Sequence, residues 1–212
     1  MATVATPYGL RAINAIGGRP FSGGSIREIK VAANNSAAIF NGDLVALSSA
    51  GQPSAVSATP TAGTTAGIVG VCVGARYLSA DGQYRHNHFL PANVITGGGS
   101  DVWLMVMDDP DALFQVKGSA ALGTFNSGTA GSGWPGAIGK NAALGFGTAG
   151  LVATGNSGVN LVVGTNGAGL ANTATLAVRI VDLVRGTESD PYPEFIVKMN
   201  GAVHSYNLAT GV

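Results

Sequence analysis

Six consecutive apolar residues, Val102–Met107, form the least interrupted hydrophobic run in the chain. A solvent-facing strand alternates, so an unbroken run this short predicts a strand buried on both faces. Val102, Trp103 and Val106 favour a strand over a helical turn. Asp108-Asp109-Pro110-Asp111 follows, and Asp and Pro are turn formers: Asp bonds its own backbone, and Pro presets φ. Ala112–Lys117 then alternates, with Ala112, Phe114 and Val116 on one side and Leu113, Gln115 and Lys117 on the other. The pattern predicts a hairpin of one central and one half-exposed strand, with the core closing over it.

Further strands are expected at Ser25–Val31, Asp43–Leu47 after an Asn41-Gly42 turn, Ile68–Ala75, Gln83–Phe89, Leu176–Val184 and Glu194–Met199. In Glu194–Met199 the residues Phe195, Val197 and Met199 share one face. Asn200-Gly201 is a preferred two-residue hairpin turn, which predicts a return strand over Ala202–Tyr206. Gly70 and Gly74 inside a strand point to a bulge or a close backbone approach. Ser48–Gly67 reads as a loop. Residues 118–175 contain fifteen glycines and one charged residue, Lys140. Short strands near Ala142–Leu144 and Val159–Val163, joined by glycine turns, are expected there, because a structureless loop this long is rare in a compact domain. No helical periodicity lasts three turns. The fold class is all-β, a single-core β-sandwich or barrel, jelly-roll-like, with glycine-rich loops.

Residues 1–24 have little periodicity and two glycine pairs, Gly17-Gly18 and Gly23-Gly24. Their apolar residues Tyr8, Leu10, Ile13, Ile16 and Phe21 are spaced singly. This predicts an extended arm ahead of a β domain over 25–212, with those five side chains as anchors on a neighbouring subunit or capsid protein. Twenty-four extended residues reach roughly 80 Å at ~3.3 Å each.

Composition sharpens this picture. Of 212 residues 33 are glycine, and 10% are charged against about 25% in an ordinary soluble domain. Eleven basic and eleven acidic residues cancel, which leaves no electrostatic footprint for nucleic acid. A neutral, glycine-rich surface of this kind predicts an oligomer. No segment approaches ~18 consecutive apolar residues, so no membrane span is expected. The N-terminus lacks the apolar core of a signal peptide. Cys72 is the single cysteine, expected to pack as a small apolar residue.

Chemical motifs are sparse. Gly145–Gly150 matches GxGxxG by letters, but no helix pattern follows and no acidic residue occurs before Asp182. Asp108, Asp109 and Asp111 are turn residues before they are cation ligands, since a hard cation needs six or more oxygens. His86 and His88 share a face if their segment is a strand, but only His204 remains as a third histidine, so no metal and no cofactor are expected. Asn34-Asn35-Ser36 is a glycosylation sequon by letters only. Gly155–Val162 matches five of eight positions of GDSGGPLV, the nucleophile segment of chymotrypsin-like proteases. His86, Asp101 and Ser157 occur in the matching order. Asn156, Val159 and Asn160 depart from the pattern, so a serine hydrolase using Ser157 stands as a remote alternative.

Several runs together resemble virion proteins of tailed bacteriophages. They are Tyr8-Gly9-Leu10, Ile39–Val45, Met107–Val116, Ile138–Ala142, Arg179–Val181 and Val197–Asn200. The nearest group is the capsid decoration, or cement, proteins encoded near the major capsid gene. That resemblance implies a non-enzymatic β-rich subunit, a homotrimer, on the outer surface of the head after synthesis in the host cytoplasm. It would bridge and stabilise capsomers of the major capsid protein. Another virion role, in the tail or as a minor head protein, is the nearest alternative. The implied motifs are structural, and none is catalytic.

Overall fold

The computed structural model describes residues 5–16, 25–58, 60, 67–122 and 133–208. The chain is nearly all β. Its first half holds β1 (Arg11–Ala15), β2 (Ile26–Lys30), β3 (Leu44–Leu47), β4 (Pro53–Ala55), β5 (Ile68–Leu78), β6 (Tyr84–Asn87) and β7 (Ser100–Met107). Its second half holds β8 (Ala112–Lys117), a five-residue helix α1 (Gly133–Ala137), β9 (Asn141–Ala142), β10 (Leu144–Gly145) and β11 (Asn160–Leu161). β12 (Leu170–Ala171), β13 (Val178–Leu183) and β14 (Glu194–Met199) complete it. One antiparallel sheet runs β1-β8-β14-β13-β9-β12. The second runs β2-β7-β5-β3-β4, with β6 added beside β5, and β10 and β11 form a separate ribbon. The all-β sandwich class is as expected.

The predicted hairpin at Val102–Lys117 does not form. β7 lies between β2 and β5 in the second sheet, and β8 lies between β1 and β14 in the first. Both edges of each strand are already paired, so Asp108–Asp111 is a corner that carries the chain between sheets. Its turn chemistry is as the sequence implies: Asp109 Oδ1 accepts the Asp111 N–H at 2.8 Å, and the Ala112 N–H donates to Asp109 O at 3.0 Å. Asp108 pairs with Arg27 of β2 at 2.8 Å, and Asp111 with Lys198 of β14 at 2.6 Å. The two carboxylates therefore tie the corner to one sheet each.

β7 is also not buried on both faces along its length. Val102, Leu104 and Val106 are buried, while Trp103 and Met105 are partly exposed on the other side. Trp103 lies under the Arg76 guanidinium, 5.0 Å from the ring centre, and its Nε1–H donates to Asp101 at 2.7 Å. A large aromatic at a half-exposed site thus accounts for the missing alternation in the sequence. Only at Met107, 1% exposed, does the second face enter a core.

The interior is two clusters rather than one. Val102, Leu104 and Val106 join Val45, Val69, Cys72 and Leu90 on one side of the second sheet. Met107, Leu44, Ile68 and Val71, from the other side of that sheet, join Phe114, Val116, Ile180, Phe195 and Val197 of the first. Full burial of each such side chain contributes about 1.5–3 kcal/mol. β5 serves both clusters by alternation, and two bulges reassign its faces along the way. Its register slips against β3 near Gly70 and against β7 near Gly74, and each extra residue switches which face the next side chain takes.

The return strand after Asn200-Gly201 is absent. The N–H groups of Val203 and His204 fold back onto Asn200 O at 3.0 and 3.3 Å, and a 3-10 turn follows at Ser205–Asn207. β14 is paired on both sides, so a hairpin partner has no edge to join.

The alternation of β7 makes a prediction that burial on both faces would not. Val106→Asp places an unpaired carboxylate in a fully buried site at a cost of several kcal/mol, and that variant should be insoluble or unfolded by circular dichroism. Met105→Asp should remain folded with a smaller loss in urea midpoint. Equal losses would contradict the assignment of faces.

Candidate functional site

The residues 7–16 of the expected arm lie on the chain's own domain. Leu10 is 1% exposed in the main core, and Arg11–Ala15 is β1, paired with β8 through a bulge at Ile13. Tyr8 lies against the first sheet, its ring 4.7 Å from the Arg11 guanidinium and 5.8 Å from Lys117 Nζ. Burial, then the nearby Glu194 charge, raise the Tyr8 phenol well above its ordinary range. Ile13 is half-buried and Ile16 exposed. Phe21 lies outside the described residues. Tyr8 and Leu10 are thus anchors, but within the subunit: the β8 edge was free, and a five-residue strand satisfies it. The single spacing of the apolar residues hid a strand because the bulge breaks its period.

Ahead of β1 the chain enters a junction of several segments. Gly9 and Gly42 pass so closely that a Cβ on Gly9 would lie 2.8 Å from Gly42 Cα and 2.6 Å from Ser157 Cβ. Both glycines have φ in the left-handed region, +79° and +90°, where a side chain is strained in any case. Backbone bonds knit the junction: Gly9 N–H to Val159 O, Leu10 N–H to Gly42 O, Gly42 N–H to Cys72 O, and Ser157 N–H to Asn41 O. Asp43 sits inside it. Its carboxylate accepts the Phe40 N–H at 2.8 Å and a bond from the Ser157 hydroxyl. Burial, the largest influence, pushes its pKa up despite those two bonds.

The residue order His86, Asp101, Ser157 does not become a triad in space. Ser157 is 1% exposed, and its Oγ accepts the Val159 N–H at 3.1 Å. Asp101 is engaged by Trp103, Tyr84 and Arg76. Among the described residues no hydrogen bond joins any two of His86, Asp101 and Ser157. A triad nucleophile needs its histidine within reach and its oxygen open to substrate, whereas Ser157 is buried with its hydroxyl bonded to Asp43.

The other sequence motifs resolve into structure. Asp108 accepts from Arg27 and Tyr206, Asp109 caps its own turn, and Asp111 pairs with Lys198. Among the described residues no group of three or more His, Cys, Asp or Glu side chains converges to hold a metal ion. His88 Nε2 lies 3.2 Å from Asn156 Oδ1, His86 is exposed, and His204 is buried with Nδ1 accepting the Tyr206 N–H. Burial lowers the His204 pKa. It raises the Cys72 thiol to about 12, an inert core group. Gly145–Gly150 opens no helix: Gly145 ends β10, and Gly150 packs on the Phe40 ring, where a Cβ would come within 2.2 Å.

One surface feature escaped the sequence reading. Residues 150–157 form a tight loop above the junction. The Gly155 N–H donates to Leu151 O at 2.7 Å, and the Leu151 N–H to Asn156 O at 2.9 Å. Below it, Phe40 and Phe89 stack at 5.2 Å, and Gly155 rests on His88 and Phe89. The loop holds Leu151 and Val152 outward at 44% and 70% exposure. Two exposed aliphatic neighbours amid glycine were the available signal.

No protein-family model, curated protein or solved structure matches this chain.

Asp43 carries a pH signature. Its folded pKa is raised, so between the unfolded and folded values the native state holds the extra proton, and stability falls as pH rises through that window. Asp43→Asn removes the ionised group. The variant's stability relative to wild type should therefore improve as pH rises from about 4, the ordinary aspartate value, towards neutral. Urea unfolding across this range tests it; a difference that stays flat, or that worsens with pH, would show Asp43 to be content as a carboxylate.

Proposed function

We propose that this chain is a non-enzymatic structural subunit of a tailed-phage head. In this reading it is a decoration protein on the outer surface that bridges major-capsid-protein capsomers, and it assembles as a homotrimer. The observation that carries the reading is the rigid, uncharged apolar tip at Leu151 and Val152. A loop pinned from beneath by the Phe40–Phe89 stack and the His88–Asn156 contact loses little entropy on docking. Exposed apolar side chains rimmed by neutral polar residues mark interaction surfaces. The low charge of the chain fits a partner met by shape and burial rather than by long-range attraction.

The runs that resemble virion proteins support the same reading from within. Gly9 and Gly42 make the junction, Asp111 and Lys198 tie the corner to β14, and Asn141 and Arg179 bond across β9 and β13 at 3.1 Å. These residues build a frame, as a structural family's shared residues should.

Two measurements test the proposal. Light scattering of the purified chain should give about three times its 21.0 kDa mass. Co-sedimentation with expanded capsids should show stoichiometric binding that changes little with salt. Val152→Asp should weaken that binding about tenfold or more, the scale of a central contact, with an unchanged melting temperature. Absence of capsid binding by the folded wild-type chain would refute the proposal.

A further inference from the structure

A groove of about 320 Å³ opens between the segment 33–37, after β2, and the segment 48–55, which includes β4. It lies in the size range of small-molecule sites. Its walls carry no charged side chain. The polar groups are carboxamides and hydroxyls, from Asn34, Asn35, Ser36, Ser48, Gln52 and Ser54, with Ala37 supplying exposed apolar surface.

The carboxamides are held in place from behind. Gln52 Oε1 accepts the N–H groups of Ala32 and Ala33 at 2.8 and 3.2 Å. Asn35 Nδ2 donates to Ala37 O and Pro91 O at 2.9 and 3.1 Å. Asn34 is fixed by Asn93 Oδ1 and by the N–H of Thr96. Each amide therefore has a set orientation. Among the described residues Asn35 Oδ1 is buried without a hydrogen-bond partner. An unpaired buried carbonyl costs about 1–3 kcal/mol, which a group that donates to it recovers.

We propose that this groove binds a neutral carbohydrate through one pyranose unit. A sugar hydroxyl both donates and accepts, which matches the mixed amide and hydroxyl lining. The C–H face of a pyranose matches the exposed apolar surface at Ala37. An anionic sugar finds no cation here, and a fully apolar compound would leave Asn35 Oδ1 unpaired. Fixing by Asn93 and Thr96 also gives the Asn34-Asn35-Ser36 segment a role that its letters alone misassign: the Asn34 amide is already engaged in hydrogen bonds, and the segment shapes one wall of the groove. This proposal stands independently of the capsid reading.

The test is a titration of the isotope-labelled full chain, followed by amide chemical shifts. The probes are methyl glycosides of glucose, galactose, mannose and N-acetylglucosamine, with glucuronic acid as the charged comparison. Saturable shifts confined to residues 33–37 and 48–55, for at least one neutral glycoside, are expected at millimolar concentration. Ser54→Tyr projects a ring into the groove from an exposed position of β4 and should weaken binding about tenfold or more, with the rest of the spectrum unchanged. Ser36→Tyr, also exposed, makes the same test from the opposite wall should the first variant fold poorly. No saturable shift with any neutral glycoside, shifts centred elsewhere, binding untouched by a folded blocking variant, or tighter binding of glucuronic acid would each overturn the proposal.

Discussion

The chain crosses from one sheet to the other over the bare Cα of Gly70. β7 ends at Met107 in the second sheet, and the corner Asp108–Asp111 delivers β8 to the first. A Cβ on Gly70 would fall 1.9 Å from Met107 O and 3.0 Å from Asp108 Cα. The crossing can sit this low only where β5 has no side chain. From that contact the rest follows. Met107 turns into the core between the sheets, Phe114 and Val116 meet Leu44 and Val71 there, and Asp108 and Asp111 reach a cation on each sheet. The bulge at Gly70 also switches the faces of β5, so one strand packs Val69 and Cys72 on one side and Ile68 and Val71 on the other.

A second close approach fixes the N-terminal segment. Gly9 against Gly42 lets residues 8–10, 40–43, 72 and 155–159 share one set of backbone bonds, with Asp43 and Ser157 inside it. The loop that carries Leu151 and Val152 stands on this junction, so its rigidity is inherited from the frame. Ion pairs contribute less. Arg27–Asp108 and Lys198–Asp111 are partly exposed and supply register at the corner more than net stability.

Local pattern made much of the frame legible. The strands at Ile26–Lys30, Leu44–Leu47, Ala112–Lys117, Val178–Leu183 and Glu194–Met199 fall where alternation and β-branched residues place them. The faces of β14 were readable to the residue, and those of β8 as far as Lys117, which alternation places with Leu113 and Gln115 but which is buried. What a sequence does not display is which strand edges remain free. Asp108–Asp111 and Asn200-Gly201 are good turns by composition, yet neither closes a hairpin, because β8 and β14 take their partners from elsewhere in the chain. The same limit hid β1, whose bulge breaks its period, and the two-residue strand β12, too short to carry one, whereas β9, β10 and β11 fall near the short strands expected at Ala142–Leu144 and Val159–Val163. Trp103 hid the exposed face of β7 by being both large and apolar. The candidate sites divide along the same line. Ser157 looked like a nucleophile by its neighbours in sequence, and only tertiary packing reveals its burial. The groove beside Asn35 and Gln52 unites segments about fifteen residues apart, neither of which carries a motif for it.

The sheets are joined at side-chain-free crossings, and the most direct test is to add one methyl group at Gly70. Gly70→Ala should lower the free energy of unfolding in urea by several kcal/mol or prevent folding, since backbone must move to admit it. Gly147→Ala is the control: its Cβ would meet nothing within 4 Å and its φ is not positive, so its stability should lie within about 0.5 kcal/mol of wild type. Equal stability of the two variants would contradict the claim that the sheets are joined over Gly70.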